Sequence, residues 1–238
     1  MNDLASLSLP RDFVRQRWRL LLWCVTALPL LLSMFGTDEP LALLVLGGLT
    51  LSWMSVPVAR RVGYRGEIAV VRRISSVLPQ GYALFNQLAV PNPWSRTGAT
   101  EIDAVVVGPT GITVIEIKSN LGRVIVGGSY DRYWPVQKVG RRGTVYYSQM
   151  RNPVRQVTGQ ARALREYLKS QGVNVWVNTL VVAGHRKTQW CAAHAQRVPL
   201  LPLNTRRIEN ALLGSNVRQI DDVAVTRSAA ALSQLKGA

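Results

Sequence analysis

Four charged residues flank a short turn in a stretch that is otherwise largely apolar. Glu101 and Asp103 precede a Gly-Pro-Thr-Gly turn, and Glu116 and Lys118 follow it. The alternating residues on both sides of this turn predict a β-hairpin. Counting outward from the turn places Asp103 opposite Glu116. It also places Glu101 opposite Lys118, so that all four side chains share one face of the hairpin.

Two opposed carboxylates on such a face repel each other and require a compensating cation. Like charges ~5 Å apart at Cβ destabilise a sheet, and Mg²⁺ prefers carboxylate oxygens while keeping water and phosphate oxygens as its other ligands. The pattern predicts a divalent metal site at Asp103 and Glu116, with Lys118 placed to offset phosphate charge or orient an attacking water. A simple alternative stays open, in which the face is exposed and Glu101 and Glu116 merely pair with Lys118.

Periodicity and turn signals predict the elements that position these groups. Residues 67–78 have apolar side chains at helical spacing, and Gly63 and Gly66 would mark the start of this helix. Residues 82–90 are typical of a strand, and the Pro-rich segment that follows is typical of a loop. Further elements are a strand at 173–183, a short strand at 198–203, a helix at 205–213 and a closing helix at 221–235.

Another helix is predicted directly after the central part of the chain. Asn152 is a favourable N-cap residue and Pro153 suits the first helical position. An apolar stripe then recurs at helical spacing and predicts the buried face of this helix. Its members are Val157, Ala161, Leu164 and Leu168.

The positive charge of the chain lies in its C-terminal three quarters. Residues 60–238 hold 25 Lys and Arg against 9 Asp and Glu, which accounts for the whole net charge of +16. Such an excess attracts nucleic acid or an anionic membrane surface. With aromatic residues near some of these cations, a nucleic-acid surface is expected. The basic residues assigned to it are Arg141, Arg142, Arg151, Arg155, Arg162 and Arg165.

Two uncharged runs near the N-terminus have about the length of membrane spans. They cover residues 20–35 and 41–59, and the turn between them contains Asp38 and Glu39. At ~1.5 Å per residue, the second run nearly crosses a ~30 Å hydrocarbon core and the first is short by about one turn. We expect a transmembrane hairpin, although a cleaved signal peptide or two buried helices of a soluble protein would also give apolar runs.

The charges around the hairpin predict its orientation. Arginines precede the first run and follow the second, whereas the turn carries two acids. Because positively charged flanks stay on the cytoplasmic side, both termini and the soluble part are expected in the cytoplasm, at the cell (inner) membrane.

Four short motifs follow one another over roughly residues 60–185. They are Gly63-x-x-Gly66-Glu67, Ile102-Asp103, Glu116-Ile117-Lys118 and Asn152-Pro153-x-x-Gln156. In this order they resemble the NERD (nuclease-related) domain family. The resemblance implies a PD-(D/E)xK restriction-endonuclease-like α/β fold, in which a mixed sheet is flanked by helices. It also implies hydrolysis of phosphodiester bonds in DNA or RNA with Mg²⁺ or Mn²⁺ as cofactor.

The resemblance further implies roles for individual residues. Asp103 and Glu116 would bind the metal, and Glu67 would approach the same ion from the first helix. Lys118 would assist catalysis, and Gln156 would be the polar residue that the helix after the sheet presents. The same residues are compatible with a catalytically inactive module that binds nucleic acid or a protein partner at the membrane.

The expected organisation of the chain therefore has three parts. Residues 1–62 would form the N-terminal segment and transmembrane hairpin, and residues 63–185 the nuclease-like domain. Residues 186–238 would extend the soluble domain.

Overall fold

The computed structural model describes residues 58–140, 142–192, 196–214 and 219–237. No helix in this part of the chain is long and apolar enough to cross a membrane. The two expected spans lie outside the described residues, except that the last two residues of the second, Val58 and Ala59, begin a helix. The transmembrane hairpin therefore stays a prediction.

Four helices and nine strands make up the described residues. In chain order they are α1 Val58–Val77, β1 Ala83–Pro91, β2 Ala99–Gly108, β3 Gly111–Lys118, β4 Gly122–Val126, β5 Tyr133–Val139, β6 Val145–Arg151, α2 Pro153–Ser170, β7 Val177–Ala183, β8 Thr188–Ala192, β9 Leu200–Leu201, α3 Thr205–Leu213 and α4 Asp222–Gly237.

The strands form two mixed sheets. The first sheet has the order β1-β2-β3-β7-β9, with antiparallel pairs up to β3 and parallel pairs beyond it. The second sheet has the order β6-β5-β4-β8, with β4 and β8 parallel. The chain leaves the first sheet at β3 and at β7 and enters the second directly afterwards, at β4 and at β8.

Helices cover both faces of the first sheet. One face carries the larger apolar core, which the second sheet, α2 and α4 complete. The other face carries a smaller core with α1 and α3. The expectation of an α/β fold with mixed sheets flanked by helices is confirmed at this level, and the described residues from Gly63 onward belong to one compact unit.

The predicted hairpin forms with the predicted register near its turn. Val107 pairs with Ile112, but the β2–β3 ladder ends at Ala104 and Ile115. The expected pairs further from the turn are therefore wrong, both Asp103 with Glu116 and Glu101 with Lys118. The physical reason is that the backbone N–H of Ile117 donates to Asp103 Oδ2 at 2.7 Å, while β3 continues along β7.

Other elements differ from expectation at their ends. The first helix begins at Val58, so Gly63 lies inside it and does not mark its start. The strand expected at 173–183 begins only at Val177, and the short one expected at 198–203 is reduced to Leu200–Leu201. The helix predicted at 205–213 is confirmed.

The second sheet was not predicted at all, because its strands are short and polar on one side.

The segment after residue 185 contributes to both sheets and to the larger core. Its strand β8 pairs with β4, its strand β9 pairs with β7, and α4 packs on the larger core through Ala231 and Leu232.

Candidate functional site

Glu116 and Lys118 lie at the end of the central strand β3, with Glu116 almost completely buried at 1% exposure. Lys118 Nζ lies 2.5 Å from Glu116 Oε1, and this is the one ion pair within the described ranges. The side-chain amide of Gln160 donates to the other oxygen, Oε2, at 2.7 Å. Both oxygens of the buried carboxylate therefore have a partner, as a charge in a low-dielectric interior requires.

Asp103 lies where the β2 and β3 ladder ends and contributes a second carboxylate. Burial, and then the neighbouring charge of Glu116, raise the pKa of Asp103 well above its ordinary value, against the lowering effect of the Ile117 N–H. The buried carboxylate of Glu116 and the partly buried carboxylate of Asp103 thus lie close together, with one lysine near them. Their negative charge exceeds what the lysine balances, which is the condition that favours an additional cation.

Glu67 reaches this region because α1 approaches the end of β3 closely. A Cβ atom at Gly66 would lie 1.8 Å from Ser119 Oγ and 3.0 Å from the carbonyl oxygen of Gly184, so only glycine fits there. Burial raises the pKa of Glu67, while the hydrogen bond from Gln87 lowers it and the charge of Glu116 raises it. The Gly66-Glu67 motif therefore has a packing reason and brings a third carboxylate close to Glu116.

Gln87 was missed by the sequence reasoning. It is the one non-glycine residue of the described chain with positive φ, at 53°. The β1–β2 ladder skips it opposite Asp103, pairing Asn86 with Ala104 on one side and resuming on the other. Its amide donates to Glu67 Oε2 at 3.4 Å. A non-glycine residue in this conformation costs about 1–2 kcal/mol, and nothing in the local sequence signals it.

Helix α2 supplies two glutamines from its first two turns. Asn152 caps the helix by accepting from the N–H groups of Val154 and Arg155, as its position predicted. Gln156 Oε1 accepts from Lys118 Nζ at 2.9 Å, so the structure places this predicted residue against the lysine.

Gln160, one turn further along α2, was also missed. Besides its bond to Glu116, its amide donates to the carbonyl of Glu101 at 3.0 Å, and its own Oε1 is buried with no hydrogen-bond partner. The available signal was its position beside the buried stripe residues Ala161 and Leu164, where a polar side chain needs a buried partner. Glu101 itself is exposed and joins the cluster only through its backbone.

The arginines predicted for nucleic acid lie on several elements. Arg141 lies outside the described residues. Arg142 is in the β5–β6 turn and Arg151 ends β6, whereas Arg155, Arg162 and Arg165 are exposed on α2. Arg165 has its guanidinium 5.5 Å from the ring centroid of Trp176. None of the five described arginines forms a hydrogen bond or ion pair with the carboxylate cluster through its side chain, so the structure does not join them to it.

The donor set fits a divalent cation. Within the described ranges, no three His, Cys, Asp or Glu side chains are arranged as a ready metal group. The carboxylates of Glu67, Asp103 and Glu116 are nevertheless the oxygen ligands that Mg²⁺ and Mn²⁺ prefer, and burial, followed by the charge of Glu116, raises the pKa of Asp103. Gln160, which donates to Glu116, also has a buried Oε1 without a hydrogen-bond partner.

A mixed α/β sheet that carries carboxylates and a lysine at the ends of its central strands is compatible with a nuclease-like protein. The family model for NERD, the nuclease-related domain, matches residues 62–184, and the chain belongs to this family. The family resemblance of the four motifs is thereby confirmed. No curated protein and no solved structure matches the chain.

Proposed function

We propose that this protein is a metal-dependent nuclease with a PD-(D/E)xK-type site, which hydrolyses phosphodiester bonds of DNA or RNA. Asp103, Glu116 and Glu67 would hold Mg²⁺ or Mn²⁺. The bound ion would supply Lewis-acid stabilisation of the charge that develops on the phosphate. The observation that carries the proposal is the pair formed by the buried carboxylate of Glu116 and the partly buried carboxylate of Asp103, beside a single lysine, Lys118, which forms its ion pair with Glu116.

The chain's own side chains have separable tasks in this proposal. Lys118 would carry a positioned positive charge next to the scissile phosphate. Gln156 holds the ammonium group of Lys118 from one side, and Glu116 holds it from the other. Gln160 fixes the Glu116 carboxylate by donating to its Oε2. Such outer contacts keep a ligand in one orientation and increase its affinity for a cation.

The direct test is a cleavage assay of the full-length chain on single-stranded and duplex DNA and RNA, with Mg²⁺, with Mn²⁺ and with EDTA. We expect cleavage in either metal and none in EDTA. Lys118→Ala should lose cleavage but keep the Mg²⁺-induced rise in melting temperature, because an ammonium is not a metal ligand and ligand binding stabilises by mass action. Absence of both cleavage and metal stabilisation in the wild type would overturn the proposal.

We also propose that the protein is held at the cell (inner) membrane by residues 20–35 and 41–59, with both termini cytoplasmic. The support is the flanking arginines and the acidic turn. In a chain without its two native cysteines, Asp38→Cys should react with an impermeant thiol reagent on intact cells, and Ala238→Cys only after lysis. Labelling of position 238 from outside would contradict this topology.

A second candidate is a catalytically inactive module that tethers nucleic acid or a protein partner at the membrane. One observation favours it, namely that both oxygens of Glu116 already have partners in Lys118 and Gln160. In that case the cluster is structural and Asp103→Ala should melt below the wild type. The nuclease proposal expects the opposite, since Asp103→Ala removes a carboxylate that is partly desolvated and lies near the charge of Glu116.

A further inference from the structure

The second sheet has an exposed face that carries arginine and tyrosine but no acidic residue on its strands. None of its four strands contains Asp or Glu, whereas Arg123 and Arg151 lie on the exposed face. Trp134 and Val136 point to the opposite side and are fully buried in the larger core. The remaining face therefore points away from the core and carries cations without any acid on its strands.

Register places an aromatic ring, an amide and a cation in one row across this face. Tyr147 on β6 pairs with Gln137 on β5, and Gln137 pairs with Arg123 on β4. Paired residues share a face, and Tyr147 is 63% exposed. The amide of Gln137 contacts the Tyr147 hydroxyl at 3.4 Å. This row therefore exposes the ring of Tyr147 on β6 and, two strands away on β4, the guanidinium of Arg123.

A second aromatic and cationic group lies further along the same face. Tyr133 is four residues from Gln137 on β5 and so about 13 Å away on the same side. It pairs directly with the exposed Arg151, and the guanidinium of Arg132 lies 5.5 Å from its ring centroid. Two exposed tyrosines, each near arginine, therefore lie on one surface whose strands carry no acid.

We propose that this outer face, defined by Tyr147, Gln137, Arg123, Tyr133 and Arg151, binds single-stranded nucleic acid. Bases stack on exposed aromatic rings whatever their sequence, and phosphates are held by nearby cations, which is the pattern of single-strand platforms. A duplex hides its base faces, so the tyrosines would add nothing to duplex binding. This surface is separate from the carboxylate cluster, and the inference does not depend on whether that cluster cleaves.

The test measures binding of a fluorescent oligothymidylate to the full-length chain in EDTA, where no metal-dependent cleavage can occur. Tyr147→Ala should weaken binding about tenfold, and Tyr147→Phe, which keeps the ring, should bind like the wild type. Neither change should alter affinity for a duplex. The matched control is Trp94→Ala, which removes a ring that is 91% exposed on the β1–β2 loop of the other sheet and should have no effect.

Arg123→Ala gives a second, independent readout. Loss of one phosphate contact should reduce the slope of log affinity against log salt by about 0.7 for a single strand, and Arg123→Lys should retain the slope. The inference is overturned if Tyr147→Ala and Arg123→Ala bind oligothymidylate as the wild type does, or if Trp94→Ala weakens binding equally. It is also overturned if these variants bind oligothymidylate as the wild type does but bind soluble short-chain phosphatidylserine more weakly, because the face would then be a lipid-binding surface.

Discussion

The two sheets of this protein use charged residues in opposite ways. The first sheet takes Glu116 into its interior and engages both of its oxygens, and it holds Asp103 nearby with a raised pKa. The second sheet keeps Arg123 and Arg151 in solvent, on a face without acids on its strands. The first arrangement concentrates negative charge where water is excluded, and the second spreads positive charge where a polyanion can reach it.

The comparison shows that burial decides whether a charged residue acts on a ligand within a site or only attracts a partner to the surface. A charge in the interior interacts strongly with whatever enters its site, whereas an exposed charge is screened and contributes mainly to encounter and non-specific affinity. We therefore expect changes in the first sheet to affect cleavage and metal response, and changes in the second to affect binding of nucleic acid without metal.

The largest expected effect comes from removing a buried carboxylate. Asp103→Ala or Glu116→Ala should abolish Mg²⁺-dependent cleavage and the Mg²⁺-induced rise in melting temperature, because each removes a proposed metal ligand. Binding of nucleic acid in EDTA should be intact or slightly stronger. The control is Glu101→Ala on the same strand as Asp103, whose exposed side chain has no hydrogen-bond role in the cluster. If Asp103→Ala still cleaves, the proposal that cleavage depends on the carboxylates of the first sheet is wrong.

A smaller effect is expected from Gln160→Leu. It leaves Glu116 Oε2 buried without its donor, which should cost about 1–3 kcal/mol of unfolding free energy. It should also weaken the metal response roughly 10–100-fold, as loss of an outer contact to a ligand does. Chemical denaturation and a Mg²⁺ titration followed by melting measure the two effects. Loss of stability with an unchanged Mg²⁺ titration would mean that Gln160 supports only the core.

The pH dependence of stability should show that Asp103 ionises at a higher pH in the folded protein than in the unfolded chain. Its pKa is raised in the folded protein by burial and by Glu116, so the folded state keeps a proton that the unfolded chain releases. The free energy of unfolding should therefore fall as pH rises from the ordinary value of 3.8 through the raised pKa, and level off above it. Urea melts across this range should show a weaker fall in Asp103→Asn. An equal fall in both proteins would contradict the assignment.

The smallest effect concerns the strained residue beside the site. Gln87→Gly should be about 1 kcal/mol more stable than Gln87→Ala, because glycine adopts positive φ without the strain of a Cβ atom. Both variants lose the hydrogen bond to Glu67, so the comparison isolates the backbone. Differential melting of the two proteins measures the difference. Equal stability would mean that the strand rearranges when the glutamine is removed.

Sequence reasoning found the β2–β3 hairpin of the first sheet because its residues contrast with their surroundings. Carboxylates within an apolar hairpin stand out, and the cap at Asn152 and the apolar stripe after it predicted α2 correctly. The second sheet gave no such contrast. Its strands mix tyrosine, glutamine and arginine in short runs, and one of their faces is in water, so neither alternation nor hydrophobicity marks them.

The amino-acid sequence by itself determined the family, the hairpin turn and the motif residues proposed for the site, since these depend on residue types at short spacing. It did not determine how the site is held. Three features depend on residues that are far apart in the chain. They are the end of the β2–β3 ladder, the positive φ of Gln87 and the contact of Gln160 with Glu116. Only the tertiary structure decided them, because a buried charge takes its partners from whichever elements pack around it.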